Sequence, residues 1–358
     1  MTFRFNTSRR RLAAAGAGIA IAALALTACA GGSGDAATSE APMGEEGFGD
    51  ITLQLSWIFN EEFAGEYLAD TNGYYEEAGF SSVKLVPGPS GGIPELLGGT
   101  ADIALSDSVQ IGSAIANEGA PLKIIGATFQ ANPFTILSLK DGGDIATPDD
   151  LKGKKIGVQD SNLTLFNALL AANDIDASEL TIVPVQYDPA PLVNGEVDGY
   201  VAYLTNESIS VEMSGAPTTN LPFADNGLPF VAETITVTED TIKNKRDMLK
   251  AFLVAEIKGW TDALADPQAG ADLAIEKYGV DLDLDPAKTL AGSEAQNKLV
   301  VSTETEENGL FTISEELQKL TIDSLAGAGI MLDASDLFDM SLLDEVYEEN
   351  PDLIAYAG

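Results

Sequence analysis

The order of strand-like and helix-like segments is the feature that most constrains the fold of this chain. From Ile51 onward, short runs rich in aliphatic and β-branched residues alternate with stretches of helical composition. One cycle ends near residue 140, and a similar cycle begins at residues 147–153. Strands that alternate with helices build α/β structures with largely parallel sheets. The sequence therefore predicts two α/β lobes, each a mostly parallel sheet flanked by helices.

The individual elements follow from periodicity and from glycine and proline positions. The predicted strands are residues 51–55, 83–86, 103–105, 122–127, 135–139, 155–158, 181–185, 199–203 and 230–238. The predicted helices are residues 62–78 with a break at Gly73, then 93–97, 109–118, 163–173, 246–265, 268–277, 286–299, 314–328 and 341–348.

The last hundred residues are mostly helical and have no strands with which to form a third domain. We expect this block to pack on the first lobe, so that the chain crosses between the lobes twice. The predicted bounds are 50–140 plus 236–358 for lobe one and 141–235 for lobe two. Two such lobes form a clamshell whose ligand cleft lies at the carboxyl ends of the strands.

The first 49 residues predict export and anchoring rather than folded structure. Basic residues 1–12 precede an apolar run at 12–28, as in a secretory signal peptide; an uncleaved membrane anchor is the alternative. The ending Leu26-Thr27-Ala28-Cys29 resembles the bacterial lipobox, which implies a signal peptide over 1–28 and lipidation of Cys29. Residues 29–49 are rich in Gly, Ser and Glu and predict a flexible tether. Export by the twin-arginine or the general route stays open.

Composition excludes several kinds of chemistry. The chain has no histidine and one cysteine, which excludes Ser-His-Asp and Cys-His catalysis, imidazole metal sites and an internal disulfide. Its formal net charge of −37 opposes binding to phosphate backbones. We therefore expect no nucleic-acid partner, no metal and no cofactor.

Candidate ligand-binding residues follow the first-lobe strands. Trp57 and Phe59 can sandwich a planar ring, and Asn60 or Glu62 can bind its polar edges. Packing of Trp57 in the core is the structural alternative. The other candidates of this lobe are Tyr67, Ser90 and Gly91 in a Gly/Pro loop, and Ser106 and Asp107 at a strand end; the loop is also interpretable as a plain turn, and Asp107 as a helix cap.

The second lobe repeats this arrangement after its own strands. Gln159 and Asn162 occupy the turn from a strand to a helix, which matches the position of the first-lobe segment. Tyr203, Asn206 and Glu207 follow the strand at 199–203 and group an aromatic ring, an amide and an acid. We expect these five residues to form the opposite wall of the cleft.

At these residues the chain resembles the periplasmic-type solute-binding proteins of ABC importers, in the branch of thiamine-pyrimidine precursor binders and their riboflavin, nitrate, sulfonate and taurine relatives. The motifs that carry the resemblance are WIFN at 57–60, EFAGEY at 62–67, GYYEEAG at 73–79, GTADIA at 99–104, LKGKKIG at 151–157 and YLTNE at 203–207. The resemblance runs from about Ile51 to the C-terminal helices and implies the type II periplasmic-binding clamshell.

The resemblance also implies roles and partners. Trp57, Asn60 and Tyr67 would belong to the first-lobe ligand wall, and Tyr203, Asn206 and Glu207 to the second. The implied protein is a monomeric, lipid-anchored receptor on the outer face of a bacterial membrane that delivers its ligand to an ABC permease. Phe63 stands where the family often has histidine; the fungal pyrimidine synthase of this family needs that histidine and a cysteine-rich motif, so the resemblance does not imply an enzyme.

Charge favours one ligand class within this fold. Sulfonate and nitrate sites usually need a fixed cation, and arginine suits them best. The candidate segments contain acids and no lysine, and Arg246 lies on a predicted helix away from them. We therefore predict a neutral or weakly basic planar heterocycle stacked by Trp57 and Tyr203. A nitrate, alkanesulfonate or taurine receptor is the alternative, with a secreted two-carboxylate hydrolase or a ligand-free adaptor as more remote ones.

Overall fold

The computed structural model describes residues 47–88 and 90–356. The predicted signal peptide, Cys29 and most of the tether lie outside these residues. In the described part of the chain, no helix combines the length and the apolar character needed to cross a membrane.

The first sheet has five strands in the order β2-β1-β3-β10-β4. Its strands are β1 (Gly49–Gln54), β2 (Phe80–Val86), β3 (Ile103–Asp107), β4 (Leu122–Phe129) and β10 (Ala232–Thr238). β1 pairs in parallel with β2 and β3, whereas β10 runs antiparallel to β3 and β4. All of these strands carry buried aliphatic residues, which form the core of the first lobe.

The second sheet has the order β7-β6-β8-β5-β9. Its strands are β5 (Phe134–Leu139), β6 (Lys155–Val158), β7 (Thr181–Pro184), β8 (Gly199–Tyr203) and β9 (Thr218–Pro222). Here β6 pairs in parallel with β7 and β8, and β5 runs antiparallel to β8 and β9. The two sheets thus share one topology, and each defines a lobe.

Four of the five strands in each sheet run in one direction, as the sequence predicts, and the antiparallel strand is β10 in the first sheet and β5 in the second. The expected lobe bounds differ from the sheet membership, since β5 belongs to the second sheet and all of β10 to the first. The chain therefore crosses at about residues 130–133 and 223–231. The sequence prediction also omitted β9.

Fifteen α-helices lie in the described residues. They are α1 (Ala64–Thr71), α2 (Tyr74–Glu77), α3 (Ile93–Gly98), α4 (Ser108–Glu118), α5 (Leu163–Ala172), α6 (Ala190–Val193), α7 (Glu207–Met213), α8 (Glu239–Asn244), α9 (Arg246–Ala265), α10 (Pro267–Leu273), α11 (Pro286–Val300), α12 (Thr303–Asn308), α13 (Glu315–Gly327), α14 (Ala334–Leu337) and α15 (Ser341–Glu349). The predicted helix at 62–78 is a 3₁₀ turn, Glu61–Phe63, followed by α1 and α2. Gly73 separates α1 from α2, because its φ of 79° is left-handed and favours glycine.

The C-terminal helices cover the first lobe and also reach the second. α9 crosses α1 so closely that a Cβ atom on Gly259 would lie 2.2 Å from the carbonyl oxygen of Gly65. The Trp260 ring is fully buried at the same crossing. α11 contacts both the 3₁₀ turn of the first lobe and α7 of the second, so it is positioned to hold one cleft wall against the other.

Candidate functional site

A cavity of about 780 Å³, including its open mouth, lies where the carboxyl ends of β1, β3 and β8 face each other. Side chains of both lobes line it. Eleven of the thirteen residues predicted to bind ligand are part of this lining: Trp57, Glu62, Ser90, Gly91, Ser106, Asp107, Gln159, Asn162, Tyr203, Asn206 and Glu207. The strand-to-loop positions were therefore a good guide to the cavity.

Asn60 and Tyr67 are predicted wall residues that the structure places elsewhere. The Asn60 side chain is buried and caps the 3₁₀ turn, accepting a hydrogen bond from the Glu62 backbone N–H at 3.2 Å. Tyr67 is fully buried and stacks on Tyr278, with ring centroids 4.1 Å apart. Phe59 packs beside the same two tyrosines rather than facing Trp57 across a ligand. The turn after β1 rotates these side chains into the core.

Eight lining residues were not predicted from the sequence. They are Ser56, Gln110, Phe134, Ser161, Tyr187, Val201, Ala202 and Glu233. Ser56, Ser161 and Ala202 are each next to a predicted residue in the sequence. Their position beside those residues is the one feature from which the sequence could have predicted them. Tyr187 follows β7 in a loop with no such signal, and Glu233 lies within a strand.

Glu233 faces the cavity because β10 bulges. Ala232 pairs with Asp107 and Thr234 with Ser106, so Glu233 is one extra residue in the ladder. Its φ of 45° lies in the left-handed region, which non-glycine residues rarely adopt. A bulge re-aims a side chain that a regular strand would place on a sheet face. The backbone thus holds an unfavourable conformation that brings a carboxyl into the cleft.

Glu62 and Glu233 are the two buried acids of the cavity wall. Ser56 donates a hydrogen bond to Glu233 at 2.8 Å. Burial, followed by the charges of Glu61 and Glu207, raises the pKa of Glu62 to about 8. Burial and the charge of Glu62 raise the pKa of Glu233 well above its ordinary value.

The positive charge of Lys288 lowers the pKa of Glu62, but Lys288 is bonded to another acid. Its Nζ lies 2.7 Å from Oε1 of the buried Glu61, and Gln296 donates to the Glu61 carbonyl oxygen at 2.7 Å. A Cβ atom on Gly292 would lie 2.2 Å from the Glu61 carboxylate. α11 therefore encloses Glu61 and fixes the turn that presents Glu62.

The other two acids of the cavity are occupied by protein donors. Asp107 accepts from the backbone N–H groups of Val109 and Gln110 at 2.8 and 2.9 Å, so it caps α4, as its helix-cap interpretation predicts. Glu207 accepts from the Tyr203 backbone N–H at 2.9 Å. Burial is the largest cause that raises the pKa of each carboxyl. A ligand N–H group that binds Glu207 would thus compete with an internal hydrogen bond.

Two aromatic pairs face the cavity. Trp57 of the first lobe meets Tyr187 of the second edge-on, with ring centroids 4.5 Å apart, and this contact spans the cleft. Tyr203 meets Phe134 edge-on at 4.6 Å. The first contact joins the two lobes, whereas Tyr203 and Phe134 both belong to the second lobe. Among the lining residues, Trp57 thus supplies the aromatic surface on the first-lobe side, and the other three rings supply it on the second-lobe side.

The remaining polar groups of the cavity differ in whether they have hydrogen-bond partners. Gln159 donates to the Val201 carbonyl at 3.0 Å and accepts from Asn162 at 3.0 Å, while Ser161 and Tyr187 hydroxyls are 2.8 Å apart. By contrast, the Ser106 hydroxyl is buried and has no hydrogen-bond partner among the described residues. A buried hydroxyl in a cavity wall is available to a ligand.

The cavity is acidic throughout. Its lining holds four carboxyls, Glu62, Asp107, Glu207 and Glu233, and no lysine or arginine among the residues that the structure describes. Over residues 47–88 and 90–356, no group of three or more acidic, cysteine or histidine side chains has an arrangement that could hold a metal ion. Such a wall suits a planar ligand with N–H donors and opposes an anion.

Comparison with known proteins gives a family and several relatives. The family described as "NMT1/THI5 like" matches residues 60–270, which is more than half of the chain. The riboflavin-binding protein RibY of Chloroflexus aurantiacus is 24% identical over 66% of this chain and 68% of its own length. The formylaminopyrimidine-binding protein of Halalkalibacterium halodurans is 21% identical over 64% and 71%.

One relative is named as an enzyme. The 4-amino-5-hydroxymethyl-2-methylpyrimidine phosphate synthase of Schizosaccharomyces pombe is 27% identical over 61% of this chain and 66% of its own length. The chain thus spans about two thirds of the length of each of these three curated relatives.

Solved structures with the same fold include two periplasmic binding proteins. The aliphatic sulphonate binding protein SsuA of Escherichia coli superposes with a TM-score of 0.60 at 16% identity, covering 77% of this chain and 90% of its own. The nitrate-binding protein NrtA of Synechocystis gives a TM-score of 0.61 at 13% identity, covering 86% and 92%. At these identities the likeness establishes the periplasmic binding fold, as the sequence predicted.

Proposed function

The chain belongs to the NMT1/THI5-like family, and on that premise we propose that it is an extracytoplasmic receptor of an ABC importer that captures a small planar heterocycle. The ligand binds in the cavity between the lobes and is passed to the permease. The predicted lipid on Cys29 and the tether behind it would keep the receptor beside that permease.

The composition of the cavity wall carries this proposal. Aromatic rings of both lobes can contact a flat ring, and Glu62 and Glu233 have oxygens left to accept N–H groups, while no described lining residue is a cation. Named relatives that bind riboflavin and formylaminopyrimidine support the same choice, because both ligands are planar and rich in nitrogen. The particular heterocycle is the finer part of the proposal.

Closure of the two lobes supplies the mechanism. A ligand that contacts both walls stabilises the closed conformation, so binding shifts the equilibrium from open towards closed molecules. Trp57 and Tyr187 already touch across the cleft, so they are the natural first contacts of closure. Nothing in this mechanism requires a bond to be made or broken, and the chain contains no histidine to serve as a general base.

A receptor for sulfonate or nitrate is less well supported. The fold neighbours of that kind share only the fold with this chain. The backbone N–H of Gly92, which an anion would need, already donates to the Ser90 hydroxyl at 3.1 Å. An anion would also face the four carboxyls of the cavity without a described cation in its wall.

A thermal-shift panel on the full chain tests the proposal. The panel contains 4-amino-5-hydroxymethyl-2-methylpyrimidine, a formylaminopyrimidine, riboflavin, thiamine, an alkanesulfonate, taurine and nitrate. A ligand at 100 times its Kd adds about 2.7 kcal/mol of stability, so we expect a heterocycle to raise Tm by several degrees. A shift with sulfonate, taurine or nitrate alone would contradict the proposal.

Substitution of Trp57 locates the binding site of any hit. Stacking of a base on an aromatic ring contributes about 1–3 kcal/mol, so Trp57→Ala should weaken binding by about five- to 150-fold. Phe48→Ala is the matched control, because Phe48 is an exposed ring that packs on Phe80 away from the cavity. Equal affinity of the two variants would place the ligand elsewhere.

A further inference from the structure

We propose that the ligand carries a neutral hydroxylated chain on its ring, and that a second chamber, between α4 and the start of α5, binds this chain and excludes a phosphate ester. The inference rests on the proposed function for the planar ring, and it adds the class of substituent that the receptor accepts. Heterocycles with a free hydroxylated chain should bind best, and those with no chain or a phosphorylated one should bind less well.

The second chamber adjoins the cavity. It has a volume of about 690 Å³, including its open mouth, and five residues line both spaces: Asp107, Gln110, Phe134, Ser161 and Asn162. The other walls of the chamber come from α3 and α4 of the first lobe and from α5 of the second. A substituent on a ring bound in the cavity is thus positioned to extend past Gln110 and Asn162 into the chamber and to contact both lobes.

Part of the chamber wall is apolar and held by the surrounding helices. Val109 and Ala114 of α4 and Leu165 of α5 are buried residues that line it. The helix α13 contacts both α4 and α5, so it ties the two walls together. Aliphatic surface of this kind is stabilised by contact with the carbon atoms of a chain, which are then removed from water.

The polar side chains of the chamber can both donate to a ligand and accept from it. Gln110 donates through its Nε2 to the carboxylate that caps α4, which leaves its Oε1 as an acceptor. The Ser113 hydroxyl accepts from Asn117 Nδ2 at 3.1 Å, so its own proton can be donated. Thr164 and Glu118 are exposed residues of the lining, a hydroxyl and a carboxylate. A chain of hydroxyl groups matches this mixture, because each hydroxyl donates and accepts.

The same chamber is unfavourable for a phosphate group. Asp107 and Glu118 place two carboxyl groups in its lining, and none of its described lining residues is a lysine or an arginine. The start of α5 does not compensate for this, because the backbone N–H groups of Asn162 and Leu163 each donate to the carbonyl oxygen three residues earlier. A phosphate ester, with a charge of about −1.5 to −2 at neutral pH, would face like charges and few donors.

Calorimetric titration of the full chain with three flavins tests the proposal. Riboflavin has a neutral hydroxylated chain on its ring, lumiflavin has a methyl group in place of that chain, and flavin mononucleotide has the chain with a terminal phosphate. We expect riboflavin to bind about tenfold more tightly than lumiflavin, because the chain adds several hydrogen bonds of modest individual strength. Flavin mononucleotide should bind about tenfold more weakly than riboflavin. Equal affinities within either pair would overturn the proposal.

Substitutions in each wall of the chamber locate the chain. Ser113→Leu and Thr164→Leu fill the chamber from the first and the second lobe, and each should bring the affinity for riboflavin close to that for lumiflavin. Ala116→Leu is the matched control and should keep the preference for riboflavin, because Ala116 is an exposed residue of α4 outside the lining of both spaces. If the preference survives in both Ser113→Leu and Thr164→Leu, the chain lies elsewhere and the proposal is wrong.

Charge reversal at Glu118 tests the exclusion of phosphate. Glu118→Lys should reduce the ratio of the Kd values for flavin mononucleotide and riboflavin by about threefold. Glu76→Lys makes the same change of net charge on the exposed side of α2, outside the cavity and the chamber, and should leave the ratio unchanged. An equal reduction in the two variants would show that the overall charge of the protein, and not the chamber, repels the phosphate.

The outcomes separate this inference from the proposed function. If lumiflavin binds as tightly as riboflavin, the chamber has no role in recognition and the receptor function stands. If no flavin binds but a pyrimidine of the thermal-shift panel does, the hydroxylated chain is wrong as the class of substituent, and the receptor function again stands. If no heterocycle binds, the proposed function and this inference both fail.

Discussion

The two lobes share one sheet topology but differ in where they place charge. Within the described residues, every carboxylate counted as buried belongs to the first lobe: Glu61, Glu62, Glu66, Glu233 and Glu256. The second lobe buries neutral polar groups instead, such as Thr135, Ser138 and Gln159, and keeps Glu207 half-buried. The same strand order therefore carries two different interiors.

This difference indicates a division of labour in the cleft. Second-lobe polar groups are mostly bonded to each other or to backbone, as Gln159, Ser161 and Glu207 are. The first lobe retains Glu62, Glu233 and the Ser106 hydroxyl with capacity to bind a ligand. On this basis we expect the first lobe to make the hydrogen bonds that select the ligand. We expect the second lobe to contribute aromatic rings that are already held in place before closure.

The largest expected effect is a loss of stability when Lys288, the ion-pair partner of the buried first-lobe acid Glu61, is removed. Lys288→Met would leave Glu61 buried without its partner, and breaking a buried ion pair costs about 3–5 kcal/mol. Chemical denaturation of the full chain measures this loss. Lys319→Met is the matched control, since Lys319 pairs with Asp323 on the exposed face of α13 and should change stability by less than about 0.5 kcal/mol. Equal losses would show that the Glu61 contact is not special.

The pH dependence of stability should come mainly from the first lobe. Burial is the main cause that raises the pKa of Glu66 from its ordinary value of about 4.5 to about 7. The folded state thus holds a proton that the unfolded state has already released, so stability falls as pH rises from about 4.5 to 7. A shift of this size corresponds to about 3 kcal/mol.

Thermal unfolding between pH 5 and pH 8 measures this effect. The wild-type chain should unfold at lower temperature at pH 8. Glu66→Gln should make the profile less steep, because glutamine cannot ionise, while Glu62, Glu233 and Glu256 keep their raised pKa values. Glu196→Gln, on an exposed position of the second lobe, should leave the profile unchanged. A profile that rises with pH in the wild-type chain would contradict the assignment.

The smallest expected effects compare one hydroxyl from each cavity wall. Ser56→Ala removes the donor to Glu233 and leaves a buried acceptor short of a partner, which costs about 1–3 kcal/mol. Tyr187→Phe removes only the bond to the Ser161 hydroxyl and keeps the ring against Trp57, so it should cost about 1 kcal/mol or less. Denaturant midpoints of both variants measure the difference, and a greater loss for Tyr187→Phe would reverse the comparison of the walls.

The sequence predicted local features well where one segment contained the whole signal. The strands β6 and β8 and the helix α9 have the predicted bounds, because their patterns and their flanking turn residues coincide. The break at Gly73 was predicted from glycine alone. Strand β9 was omitted, since its residues Thr218–Pro222 show no clear alternation and include a proline.

The cavity was predictable where its residues follow strand ends, as Trp57, Asp107 and Glu207 do. Asn60 was wrongly placed because its side chain caps the 3₁₀ turn, and Tyr67 because it lies on a buried face of α1 and stacks on Tyr278. Glu233 was missed because a bulge depends on register with β3, which a single strand does not reveal.

Composition and segment order by themselves determined that this chain has two α/β lobes, lacks histidine chemistry and offers an acidic cleft at its strand ends. Those properties are local or additive, so they can be read along the chain. The tertiary structure decided which partner and which environment each buried carboxyl has. Glu61, Glu62 and Glu66 lie within six residues, yet the first is bonded to Lys288, the second lines the cavity together with Glu233, and the third is buried beside Trp260. Each environment depends on a partner more than 160 residues away, and burial magnifies the electrostatic effect of that partner.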